Sequence, residues 1–222
     1  MSQILDFPDH PYQVKDDECM NDLVSSIKER GLIQPIIVRP IEDNLYEMVS
    51  GHRRKRAFEL AGLKSIPAKV VELTRDEAIL VMVDSNLQRE VILPSEKAKA
   101  YKMRLDAMKR QGQRSDLTSR PMGDKLNNKR AGEILGEVVG ESERQVQRYI
   151  RLTELIPEML DLVDEGKVAM RPAVEISYLP KESQEQLVKA MEFSDATPSH
   201  YQAIRMKNCY RDGKLTEEVI DT

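Results

Sequence analysis

Gly51-His52-Arg53-Arg54-Lys55-Arg56 places four permanent cations and one imidazole directly behind a glycine. Residues 45–49 before it read as a strand, and residues 57–61, closed by Gly62, read as a short helix. A helix start carries partial positive charge and unpaired N–H groups, so cations in its first turn need something negative nearby. A phosphate is one answer. Glycine lets backbone approach it closely, and arginine offers forked donors that match its oxygens. A solvated basic helix, or one matched by carboxylates elsewhere in the chain, is the other answer, and charge alone does not choose between them.

A second polar cluster lies about thirty residues on. Val83-Asp84-Ser85-Asn86-Leu87-Gln88-Arg89-Glu90 follows the apolar run 78–82 and precedes Leu93-Pro94-Ser95-Glu96.

The elements that must position these residues can be read in order. Residues 17–30 place Met20, Leu23, Val24 and Ile27 at helical spacing before Gly31, a helix C-cap signal. Residues 32–39 form a buried strand, Glu42-Asp43-Asn44 a turn, residues 45–49 a second strand and residues 66–73 a third. A helix capped by Thr74 then delivers Ser85 and Asn86 at its end. The result is an α/β unit with both polar clusters on its loops. Pro94 opens a long helix with Ala98, Tyr101, Leu105 and Met108 on its apolar face and Lys97, Lys102, Arg104 and Lys109 on the other. Residues 111–128, rich in Gly, Ser, Asn and Arg, read as a mobile basic linker.

The second lobe has the pattern of a helix-turn-helix. Ala131, Ile134, Leu135 and Val138 share a packed face, Gly140 supplies the turn, and Ser142-Glu143-Arg144-Gln145 reads as a capping box for the next helix. With Val146 and Ile150 inward, Arg144, Gln147, Arg148 and Arg151 face solvent, where they suit a DNA major groove; Ser142 and Gln145 complete the candidate contact set. An ordinary helical hairpin with a charged face has the same pattern. Residues 152–163, 172–179 and 183–191 read as short bracing helices.

Composition sets the outer bounds. A chain of 222 residues with 40% hydrophobic content suits one or two small domains. Cys19 and Cys209 have no metal-ligand company, and no apolar run is long enough for a signal or a membrane span; a reduced cytoplasmic setting is expected. The net charge of −4 argues against indiscriminate adhesion to nucleic acid, yet residues 102–130 carry +6 and residues 152–222 carry −6. Any DNA contact must be local.

The two clusters followed by a helix-turn-helix resemble the ParB family of DNA-partition proteins, and the likeness runs from about Asp9 to about Met191. His-Arg-Arg, Asp-Ser-Asn and Arg-Tyr-Ile-Arg-Leu-Thr look most like the branch on plasmids and mobile elements of low-GC Gram-positive bacteria. The resemblance implies an α+β chain: residues 1–93 a ParB/sulfiredoxin-like nucleotide-binding lobe, 94–128 a connecting helix and linker, 129–193 an all-α DNA-binding domain and 194–222 a polar tail. It implies CTP with Mg2+ held by Gly51, His52, Arg53, Arg54, Ser85, Asn86 and Arg89, with Gln34 near the base and Asn86 toward the metal. It further implies a homodimeric clamp on duplex DNA with a palindromic site, a ParA-type ATPase partner, no membrane, and segregation as the task. A helix-turn-helix transcriptional regulator is the nearer alternative, and a phosphotransfer enzyme or nuclease on the same fold the more distant one. His52 stands where the family has Glu, and Ser85 where a Glu tied to hydrolysis commonly precedes Asn; Ser85 and Asn86 are therefore the candidates for slow CTP turnover. A thiol-repair enzyme of the sulfiredoxin type would need a cysteine where this chain has His52. Residues 1–8 lack the basic arm that stimulates an ATPase partner, and the stretch after Met191 is too short for the family's separate dimerisation domain; a truncated chain or dimers through other lobes would account for it.

Overall fold

Backbone capping and glycine turns set the elements of the N-terminal half. The computed structural model describes residues 1–87, 89, 91–116 and 124–220. They divide into two compact units, Met1–Glu90 with Met103–Asn127, and Val91–Lys102 with Asn128–Thr222. The fold is α+β: one small sheet in the first unit and helices in the second.

In the first unit, β1 (Ile4–Leu5), β2 (Ile36–Pro40), β3 (Tyr46–Ser50) and β4 (Ala68–Val70) form a sheet in the order β1-β3-β2-β4. β2 and β3 are antiparallel with Val38 opposite Met48, while β1 and β4 lie parallel to their neighbours. Alternation buries Ile36, Val38 and Met48 on one face. Helix α1 (Glu18–Arg30) starts where Asp17 accepts the Met20 N–H at 2.9 Å and stops at Gly31, whose N–H returns to the Ile27 carbonyl. Its Met20 and Ile27 pack with Ala57 and Phe58 of α2 (His52–Leu60). Helix α3 (Arg75–Asn86) has a full capping box, Thr74 with Glu77. Two sequence readings change here. Residues 4–5 add a strand where a bare arm was expected, and the third strand shrinks to three exposed residues, because its short apolar run lies at the sheet edge.

Helix α4 (Pro94–Asp116) divides its residues between the units. The expected linker at residues 111–128 is therefore helical at residues 111–116 and again from residue 124, where α5 (Asp124–Val139) begins; residues 117–123 lie outside the described residues. Arg104, expected on the solvent face of α4, is buried and bonded to Asp84 of α3.

In the second unit, α5 and α6 (Glu143–Arg151) form the hairpin around Gly140, at φ +69°. Two glycines of α5 make that hairpin tight. A Cβ at Gly132 would stand 2.7 Å from Glu143 Oε1, and one at Gly136 would stand 2.7 Å from the Glu141 carbonyl oxygen. Helices α7 (Pro157–Asp164), α8 (Met170–Ile176) and α9 (Lys181–Ser194) brace α6 around Leu152, Met159, Val163, Ile176 and Leu187. Fully buried Gln184 stitches this core, accepting from Ile156 N–H and donating to the carbonyls of Leu179 and Glu154. Residues 194–222 depart from the expected polar tail: α10 (His200–Arg211), with its own capping box, buries Ala203 and Met206 in the same core, and α11 (Glu217–Ile220) follows. Two apolar residues three apart were too short a signal against that polar background. Among the described residues no helix is long and apolar enough to cross a membrane.

The glycine contact is testable. Gly136→Ala forces a methyl against backbone rather than a flexible side chain, so urea unfolding of the variant should show a loss of about 1–3 kcal/mol, with α5 and α6 the first amides to lose exchange protection.

Candidate functional site

Gly51 is the N-cap of α2 and sits at φ +106°, ψ 24°, a conformation that L side chains rarely adopt. There is also no room for one, since a Cβ would stand 2.7 Å from Ile36 Cγ2. Gly51 offers no side chain to cap the first turn of α2, a helix start of the kind that suits an anion.

The four cations behind that turn divide into two kinds. Arg53 donates to Asp17 at 3.2 Å, Lys55 to Asp6 at 2.7 Å, and Arg56 to Asp16 at 3.1 and 2.6 Å. Carboxylates within the chain thus answer three of them. Arg54 is the exception among the described residues: its Nη1 donates to the carbonyls of Gln34 and Pro35 at 2.7 and 2.8 Å, and no ion pair with a carboxylate accompanies these bonds. Burial lowers its pKa from the ordinary value. Gln34, expected near a base, meets Arg54 through its backbone, and its side chain is exposed.

The second cluster arrives at the same place from α3. Ser50 Oγ, at the end of β3, lies 3.4 Å from Ser85 Oγ, so Gly51 and Ser85-Asn86 share one seam. Ser85 Oγ also donates to the Met82 carbonyl at 2.9 Å. Asn86 is buried, and its Nδ2 donates to the Met82 carbonyl at 2.8 Å and to Ser85 Oγ at 3.3 Å. That leaves Oδ1 as the atom able to meet a cation. No group of three or more His, Cys, Asp or Glu among the described residues is spaced to hold a metal ion, so a cation here would depend on Asn86 and on oxygens of its own ligand.

His10 and Tyr12 connect the two clusters, and the motif reading did not include them. The His10 ring stacks on His52 with centroids 3.6 Å apart, Tyr12 meets His10 edge-on at 5.6 Å, and the Arg89 guanidinium lies 5.0 Å over the Tyr12 ring. The only sequence signal was an aromatic pair around Pro11 in an otherwise acidic arm. His52 Nε2 is shut off from water without a hydrogen-bond partner. Burial, then the neighbouring His10, Lys55 and Arg89, push its pKa down to about 3, against the pull of Asp6.

The candidate DNA face is smaller than expected. Arg144 and Gln147 are exposed on α6, and Ser142 is its N-cap, accepting the Gln145 N–H at 3.2 Å. The capping box is only half formed, because the Gln145 side chain turns to Met170 Sδ at 3.2 Å. Arg148 is half-buried and donates to Gln145 Oε1 at 3.4 Å. Arg151 turns away altogether: it donates to the Ser177 hydroxyl and carbonyl at 3.0 and 2.7 Å and lies 4.0 Å over the Tyr178 ring. Among the described residues, Arg144 and Gln147 are the two members of the predicted set with no such internal engagement.

Residues 1–87 match the ParB N-terminal domain family. The chromosome-partitioning protein Spo0J of Thermus thermophilus is 35% identical over 161 residues, 72% of this chain and 52% of that one. A nucleoid occlusion protein of Listeria innocua is 32% identical over 182 residues, 82% of this chain and 56% of that one. The chain spans about half the length of the curated relatives it matches. A solved Pnob8-like ParB-N domain, in its C2221 form, superposes with a TM-score of 0.57 over 99% of this chain and 94% of that one at 18% identity, a likeness of fold.

The His52 environment carries a sign that can be measured. An unfolded imidazole titrates near 6.5 and the folded one near 3, so between those values the unfolded chain binds the extra proton. Stability should fall as pH drops through that window, by at most about 1.4 kcal/mol for each pH unit. Urea titrations of His52→Phe, which keeps the stack on His10, should show a flatter acid limb than the unmodified protein.

Proposed function

We propose, from the match of residues 1–87 to the ParB N-terminal domain family, that the chain binds a nucleoside triphosphate and couples that ligand to site-specific binding of duplex DNA. The observation that carries the reading is the seam itself: Ser50 Oγ lies 3.4 Å from Ser85 Oγ, which brings Ser85-Asn86 beside Gly51 at the start of α2, and a Cβ on Gly51 would stand 3.3 Å from Arg54 Nη2. The first-turn N–H groups and Arg54 would hold phosphate oxygens, and Asn86 Oδ1 would meet the accompanying Mg2+. A bound metal would neutralise phosphate charge; everything else asked of this chain is binding and orientation.

CTP is the nucleotide that the family resemblance implies. The matching task is a homodimeric clamp loaded at a palindromic site for plasmid or chromosome segregation, with a ParA-type ATPase as partner. Ser85 stands where a carboxylate tied to hydrolysis is expected, and its hydroxyl is already engaged by Met82 and Ser50, so turnover should be slow relative to binding. DNA would be read from α6, with Arg144 and Gln147 at base edges and Arg148 nearby.

Calorimetry with CTP and Mg2+ tests the first half. Arg54→Ala removes two donors worth about 1.5–3 kcal/mol each toward an anion and should weaken binding at least about tenfold; equal affinity would refute the site. The second half is tested on a duplex selected from random sequences by the protein. Gln147→Ala should cost about 1–3 kcal/mol on that duplex and little on unselected DNA. Arg151→Ala should instead lower the melting temperature and leave base preference intact. A protein that binds its selected duplex unaffected by nucleotide would be a plain transcriptional regulator.

A further inference from the structure

Residues 6–17 touch α2 at four points. Asp6 accepts from Lys55, Asp16 from Arg56, Asp17 from Arg53, and the His10 ring lies on His52. This arm holds Asp6, Asp9, Asp16 and Asp17 against a single cation, Lys15. Two of the pairs sit at the surface, with side-chain exposures of 36% and 44% for Arg53–Asp17 and 42% and 48% for Arg56–Asp16. Exposed pairs of this kind contribute little to stability. The α1 cap does not need them either, because Asp17 makes it through a separate bond to the Met20 N–H. What they change is the charge at the uncapped turn, where Arg53 would otherwise be available to an anion and Arg56 would keep only Glu59, 3.5 Å away on its own helix.

We propose that residues 6–17 are a built-in acidic competitor for the anion site, the carboxylates of Asp16 and Asp17 holding Arg56 and Arg53 until a polyphosphate takes them. The inference rests on the reading that α2 receives an anion. The Arg53–Asp17 and Arg56–Asp16 contacts are shallow and exchangeable, as a competitor requires. Phe7 and Tyr12 are buried and anchor the arm beside the His10–His52 stack, so it is the charged end at Asp16 and Asp17 that can lift. Coupling of this kind is reciprocal: whatever the arm subtracts from ligand affinity, the ligand subtracts from arm docking.

Sodium tripolyphosphate without metal is the probe, because it tests the anion site independently of any base. Asp16→Asn/Asp17→Asn neutralises both carboxylates while asparagine retains the α1 cap. It should bind tripolyphosphate about three- to tenfold more tightly than the unmodified chain. Asp22→Asn/Glu29→Gln makes the same charge change elsewhere on α1 and should produce a much smaller gain. In the unmodified protein, tripolyphosphate should speed amide exchange in residues 12–17, a readout that needs no variant. Equal affinity of the arm variant and the unmodified chain, an equal gain in the α1 control, or exchange in the arm unchanged or slowed by ligand would each overturn the competitor. If neither the unmodified chain nor the arm variant binds tripolyphosphate, the anion site falls with it; if both bind alike, only the competitor falls.

Discussion

The first unit depends on a backbone constraint at one residue. Gly51 must turn left-handed within contact distance of Ile36, and a side chain there is excluded twice, by φ and by space. Because the chain makes that turn, β3 passes directly into α2. The first turn of α2 then opens without a side-chain cap, and Arg54 comes beneath the carbonyls of Gln34 and Pro35. The same turn leaves Ser50 beside Ser85, which brings the end of α3 into the seam. A longer or right-handed connection would carry the basic residues away from both.

Electrostatics then sort residues of one type into different duties. Four cations in consecutive positions look equivalent in sequence, yet helix geometry fans them around the axis. Arg53, Lys55 and Arg56 fall within reach of three aspartates, and Arg54 falls against backbone. A guanidinium bonded to neutral carbonyls keeps its full charge for a ligand, whereas one bonded to a carboxylate must give up a partner first. His52, in the midst of these cations, is held neutral by burial and by its neighbours, so it adds shape and stacking to the seam rather than charge.

The second unit applies a comparable sorting by packing. Gly132 and Gly136 let α5 approach the turn and the start of α6 closely, and on α6 Arg144 and Gln147 stay exposed. Arg151, one turn beyond that strip, is drawn onto Tyr178 and Ser177, where its long side chain covers ring and backbone. Gln145 is drawn to Met170.

Much of this was legible in residue order, and the reason is local. Caps at Thr74 and Ser142, glycine stops at Gly31 and Gly140, and the switch from alternating to helical spacing all act within a few residues, so the helices carrying the clusters could be placed from sequence alone. The pairing of the Gly51 and Ser85 clusters came from the family resemblance, since nothing in spacing brings positions 34 residues apart together. Tertiary structure alone decided what depends on distance across the chain. It decided which of four adjacent cations meet carboxylates, that His10 and Tyr12 join the seam, that Arg104 is buried, that Arg151 braces rather than reads, and that residues 200–211 fold onto the core. A side chain's charge is written in its type, but its partner is fixed by whichever element folds against it.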